Sequence, residues 1–186
     1  MHIIALSGAL RRASYNTALL RAAAELAPAG VTLELRTLHG IPLYDGDVEA
    51  AQGIPEAVTA LREAIRAADA LLVGTPEYNN SIPGVLKNGL DWLSRPSGEG
   101  AKLFGGKPTA LVGATPGGLG TVQSQDALLS VLRAFGSDVW MAGRLMVSKA
   151  GTAFDADGRL VDDKLREQLE RFMQGFADFA RKRVAA

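Results

Sequence analysis

The chain has 186 residues, of which 20 are basic and 20 acidic, with two histidines and no cysteine. That length suits one domain over residues 1–186, large enough to be stable without disulfides or a structural metal. The lack of cysteine excludes thiolate metal sites, iron–sulfur clusters and a cysteine nucleophile, and zero net charge lacks the cationic excess of a nucleic-acid binder.

The first apolar run, residues 2–6 (HIIAL), reads as a strand and is too short for a signal peptide. No stretch approaches the ~18 to 20 apolar residues of a membrane span, so a cytoplasmic protein without membrane contact is expected. Over residues 16–26, Leu19, Leu20, Ala23 and Leu26 recur at helical spacing. Residues 31–38 alternate as a strand. Pro55 can open a second helix striped by Val58, Leu61, Ile65 and Ala68, and residues 70–73 form a buried-strand run ending at Gly74. The pattern then repeats: helix 83–94, strand 109–112, helix 123–135, strand 139–147 and a last helix over 163–182 with Leu165, Leu169, Phe172, Met173, Phe176 and Phe179 on one face. Five alternations of strand and helix predict a three-layer α/β domain with a parallel sheet. In such sheets ligands bind beyond the carboxyl ends of the strands, which directs attention to the loops after strands one, three and four.

The first of these loops, residues 7–17, carries Ser7, Ser14, Thr17, Arg11 and Arg12 and leads into a helix N-terminus. Free backbone N–H groups, hydroxyls and a guanidinium suit a phosphate, although Ser14 or Asn16 as a plain helix cap explains part of the pattern. The second loop, residues 75–84, combines two prolines, Glu77, Tyr78 and the amides of Asn79 and Asn80. Its chemistry suits gripping a planar heterocycle and equally suits an ordinary loop with Ser81 near a cap. The third, residues 113–121, holds four glycines, whose position at the same sheet edge carries more weight than their number. Neither the dinucleotide glycine pattern nor a P-loop is present: residues 101–107 lack the first glycine, and Pro108 stands where the magnesium-binding hydroxyl belongs.

Residues 7–16 (SGALRRASYN), 75–94 (TPEYNNSIPGVLKNGLDWLS) and 116–120 (PGGLG) together resemble the NAD(P)H-dependent FMN reductases of the flavodoxin-like fold, a group that includes quinone, chromate and azo-dye reductases. The resemblance covers most of residues 1–180 and implies a five-stranded parallel sheet in the order 2-1-3-4-5. It also implies FMN as cofactor, with Ser7, Arg11, Ser14, Asn16 and Thr17, joined by Tyr15, around its phosphate. Pro76, Glu77, Tyr78 and Asn79 would lie along the isoalloxazine, mainly through backbone groups, and Thr115, Pro116, Gly117 and Gly118 would close over its other edge. Ala9 departs from the serine usual in the family and removes one hydroxyl donor. A homodimer or homotetramer with flavin near the subunit boundary is likewise implied.

The expected activity is a ping-pong reductase in which NADPH or NADH gives hydride to bound FMN, and a quinone, flavin, azo compound or metal oxyanion then takes the electrons. The cofactor carries that chemistry, so no catalytic side chain and no metal are expected. The competing reading is a flavodoxin-like electron carrier with a protein partner. Such carriers usually have an acidic docking face and no arginine at the phosphate, unlike this neutral chain with Arg11-Arg12. Asp45-Gly46-Asp47 is read as a turn, His39 as a surface histidine, Trp92 as core or subunit interface, and residues 181–183 as a solvated helix end.

Overall fold

A computed structural model describes residues 1–184. Its elements run β1 (His2–Ser7), α1 (Tyr15–Glu25), β2 (Thr32–Arg36), α2 (Gly46–Gln52), α3 (Glu56–Ala67) and β3 (Ala70–Gly74). They continue with α4 (Gly84–Leu93), α5 (Glu99–Phe104), β4 (Pro108–Ala114), α6 (Val122–Ala134), β5 (Asp138–Val147) and α7 (Asp163–Val184). The strands form one all-parallel sheet in the order β2-β1-β3-β4-β5, as the family resemblance implied.

The three middle strands owe their unbroken apolar runs to cover on both faces. Alternation along each strand divides the core in two. Ile3, Ala5 and Leu72 pack under α1 and α7, while Ile4, Leu6, Leu71 and Val73 pack under α3 to α6. Trp92 is fully buried in the second half, with its indole N–H donating to Pro42 O at 2.9 Å, so it is core and not a subunit contact. Phe172 and Phe176 are core as expected, and Trp140 of β5 lies against both and against Phe179. No helix among the described residues is long and apolar enough to cross a membrane.

Two features depart from the sequence reading. Asp45-Gly46-Asp47 is the start of a helix: the Asp45 carboxylate caps α2 by accepting from Asp47 N–H at 2.8 Å. This helix buries no residue, and α5 spans only six, so neither shows an apolar stripe to detect. The basic end of α7 is exposed, as expected, and its cations make surface contacts: Arg183 meets Asp138 at 2.7 Å and covers the Phe179 ring, while Arg181 reaches Asp178 and Ala29 O.

What holds α2 is a polar strap. Glu49 accepts from Arg95 Nε at 2.7 Å and from the Tyr44 hydroxyl at 3.0 Å, and Asn88 bridges Tyr44 N–H and Pro42 O. The Arg95 hydrogen bond holds the Glu49 carboxyl below its ordinary pKa, opposed by partial desolvation. A carboxylate whose folded pKa is lowered contributes stability that is present above its unfolded pKa and lost as pH falls through the folded one. Residues 42–52 should therefore loosen from α4 in acid, once pH falls below the ordinary glutamate range. Amide exchange should show this acid step in the parent chain, and Glu49→Gln should abolish it; an unchanged step in the variant would rule the strap out as its source.

Candidate functional site

The chain leaves β1 at Ser7 and passes close over β3. Gly8 N–H donates to Gly74 O at 2.8 Å, and a Cβ on Gly8 would lie 3.1 Å from both that oxygen and the Leu86 side chain. Ser14 then caps α1, its hydroxyl accepting from the N–H groups of Asn16 and Thr17. The cap reading is thus correct as far as it goes. Among the described residues, however, no protein acceptor meets the backbone N–H groups of Arg11, Arg12, Ala13 or Tyr15. These donors, at the positive end of an eleven-residue helix, suit an anion.

Arg11 lies over the Tyr15 ring at 5.5 Å, and Tyr15 stacks on Phe154 at 6.1 Å. Among the described residues no carboxylate pairs with Arg11, so aromatic contact fixes the guanidinium without neutralising it. Ser7 and Thr17 are buried and their hydroxyls face each other at 2.8 Å. Asn16, also buried, donates from Nδ2 to Ala114 O at 2.8 Å and accepts from Ala114 N–H at 2.9 Å. Its amide thereby ties the first loop to the end of β4.

The second loop is anchored to α6. The hydroxyls of Thr75 and Ser124 are 2.7 Å apart, and Ser124 donates to Pro76 O at 2.8 Å. The N-cap residue of α6, Thr121, makes no side-chain cap bond. The Glu77 carboxylate supplies one from outside the helix, accepting from Gln123 N–H at 2.9 Å and Ser124 N–H at 3.1 Å. Tyr78 and Ser81 exchange both backbone hydrogen bonds across Asn79 and Asn80, which have φ of 50° and 61°. Asparagine suits such a left-handed pair, so this turn sets the direction of Tyr78. The third loop is pinned in turn to the segment after β5, Ala150 N–H donating to Thr115 O and Lys149 N–H to Gly117 O.

These ties enclose a cavity of about 360 Å³. Arg11, Ser14, Tyr15 and Asn16 line it from the first loop, Pro76, Glu77 and Tyr78 from the second, and Thr115 and Pro116 from the third. Ser7, Thr17, Asn79, Gly117 and Gly118 do not line it: the first two are buried behind the loop, Asn79 sits in the turn, and the glycines lie exposed further along. Ala114 lines the cavity unannounced, since an alanine at a strand end carries no chemical signal in the sequence. The cavity therefore offers unpaired N–H donors and one uncompensated arginine at one end, and stiff backbone with an aromatic ring at the other. Such a combination has the chemistry to suit a phosphate joined to a flat polar ring, in a volume typical of small-molecule sites.

Comparison with known proteins agrees with that chemistry. The family model for NADPH-dependent FMN reductase matches residues 1–152. An NAD(P)H-dependent FMN reductase of Pseudomonas aeruginosa is 46% identical over 180 residues, covering 97% of this chain and 95% of the relative. A 2-hydroxy-1,4-benzoquinone reductase of a Burkholderia species is 37% identical, with 98% of each chain covered. Among solved structures, the flavoenzyme NAD(P)H:(acceptor) oxidoreductase FerB from Paracoccus denitrificans superposes with a TM-score of 0.85 at 34% identity, covering 98% of both chains.

Proposed function

We propose, from the premise that this chain belongs to the NADPH-dependent FMN reductase family, that it reduces quinones and similar small acceptors by ping-pong exchange through bound FMN. The chain is an oxidoreductase dependent on FMN and NAD(P)H. The observation that carries the finer reading is the convergence of three loops, from the ends of β1, β3 and β4, on one cavity with uncommitted donors at the α1 N-terminus.

The residues present fit FMN. Arg11 and the N–H groups of residues 11–13 and 15 would hold the phosphate, with Ser14 and Asn16 shaping the turn that presents them. Pro76, Glu77 and Tyr78 would support one side of the ring system, and Thr115 and Pro116 the other. Bound FMN supplies the redox chemistry, accepting hydride from NAD(P)H and releasing electrons to the second substrate. The protein's share is to bind and orient. Its fixed backbone dipoles stabilise negative charge without reorganising, and the two prolines and the Glu77 cap limit loop motion. We place the protein in the cytoplasm and read it as a homodimer or homotetramer; exposed Tyr78 and Leu119 on the site loops, with Val122 at the start of α6, support the oligomer.

Anaerobic mixing of the FMN-loaded chain with NADPH should bleach the flavin without any protein partner, and a benzoquinone should restore its colour. A chain that stays colourless with FMN, or bleaches only with an added reductase protein, is not this enzyme. Arg11→Gln should weaken FMN binding by about tenfold to a hundredfold, the usual cost of a lost hydrogen bond to a charged group. Quenching of free FMN fluorescence would measure it.

A further inference from the structure

A second cavity, of about 510 Å³, adjoins the first across Arg11, Ser14 and Tyr15, which line both. Its other walls come from α1, through Ala18 and Arg21, and from the turn at residues 155–158. Arg11, Arg12 and Arg21 all line it, and none pairs with a carboxylate among the described residues. The aspartates opposite are already engaged within their own turn. Asp155 Oδ1 accepts from the N–H groups of Asp157 and Arg159 at 2.9 and 2.8 Å, and Asp157 lies 3.5 Å from Arg159. The cavity thus has three guanidinium groups that no carboxylate neutralises among the described residues, and carboxylate oxygens on its opposite wall that can accept from hydroxyl or amino groups.

The cluster is larger than the FMN phosphate needs. A single phosphate in the first cavity can use Arg11, which leaves Arg12 and Arg21 without a partner in the proposed chemistry. Their volume and charge suit a nucleoside carrying its own phosphomonoester. The reductant that the family uses includes one form that carries such a group, the 2′-phosphate of NADPH, and one, NADH, that does not.

We propose that this cavity binds the adenosine 2′-phosphate end of NADPH and makes the chain prefer NADPH to NADH. The assignment rests on the reductase reading of the first cavity and adds the specificity that this reading leaves open. Arginine suits the role because its planar fork pairs with a phosphate dianion through two N–H groups at once, as arginine does for the 2′-phosphate in dinucleotide folds. Asp155 and Asp157 then select a nucleoside, with donors on ribose or adenine, over a bare anion.

The test uses the FMN-loaded protein and 2′,5′-ADP as the probe. Calorimetry should show 2′,5′-ADP binding at least about tenfold tighter than 5′-AMP, and 2′,5′-ADP should compete with NADPH in the reductase assay. Arg21→Gln, at an exposed position outside the FMN site, should raise KM for NADPH and weaken 2′,5′-ADP by about tenfold or more. It should leave kcat, KM for NADH and the bound-flavin spectrum unchanged, and Arg21→Lys should recover part of the loss. Equal binding of 5′-AMP and 2′,5′-ADP overturns the proposal, as does inorganic phosphate binding equally well, or an Arg21→Gln effect that is the same for both reductants. A parent chain that oxidises neither nucleotide refutes the reductase reading instead, while the calorimetry still reports on the cavity.

Discussion

Replacing Gly113 by alanine should cost the protein several degrees of thermal stability and most of its FMN affinity, although the added group is a single methyl. The new Cβ would stand 1.9 Å from Thr121 Oγ1, 2.8 Å from Thr121 Cβ and 2.5 Å from Thr75 O. No rotamer relieves contact with a backbone oxygen. Thr121 is buried, and its hydroxyl accepts from Gln125 at 3.1 Å, so it cannot simply turn aside. Either the start of the second loop or the N-terminus of α6 must shift, and the Glu77 cap couples the two. Overpacking of this kind costs about 1 to 3 kcal/mol, which for a chain of this length lowers Tm by roughly 2 to 12 °C. Displacing Pro76 and Glu77 from the cavity wall should reduce FMN affinity by about tenfold or more, since binding geometry is tight within such walls. Gly84→Ala is the control: nothing lies within 4 Å of its added Cβ, and both measurements should stay at parent values. A Gly113→Ala chain with parental Tm and FMN affinity would show that the loop and helix end yield freely.

How much of this was legible beforehand depended on whether a signal was local. The buried runs of β1 and β3 and the stripes of α3 and α7 announce themselves by periodicity, and topology then assigns the site to the ends of β1, β3 and β4. Helix α2 escaped because it buries nothing and leans on a carboxylate–arginine pair 46 residues apart. The Glu77 cap escaped for the same reason, being an interaction between a loop and a helix 46 residues further on. A partial signal existed, since the first turn of α6 contains no acidic residue to offset its dipole and an external carboxylate is one remedy. The pairing of Ser7 with Thr17 shows the converse case. Hydroxyls near a phosphate loop invite assignment to the ligand, yet these two face each other behind the loop. Composition names the chemistry that a segment can perform. Only the packing of distant elements decides which groups remain free to perform it.

Asn16 puts that distinction to experiment. Its amide lies near the α1 N-terminus, as a phosphate ligand would, but both polar atoms are engaged with Ala114, 98 residues away. Asn16→Ala should therefore act first on stability. It strips partners from a backbone N–H and a C=O that are buried at 2% exposure, and each orphaned group costs about 1 to 3 kcal/mol. The summed loss, roughly 2 to 6 kcal/mol, is a large part of the 5 to 15 kcal/mol that holds a typical domain. FMN should bind more weakly as a consequence, because the first and third loops lose their tie. Asn16→Asp separates the two bonds: it keeps an acceptor for Ala114 N–H but sets a second oxygen against Ala114 O. Burial and that carbonyl should raise the new carboxyl's pKa above its unfolded value. The folded state then binds the extra proton, so stability should be greatest in acid and fall as pH rises through the window between the two values. Thermal unfolding of both variants between about pH 4 and pH 8 measures this directly. Should Asn16→Ala instead keep the parental Tm while losing FMN, the amide must leave Ala114 for the ligand on binding, and the tie would be a feature of the empty loop only.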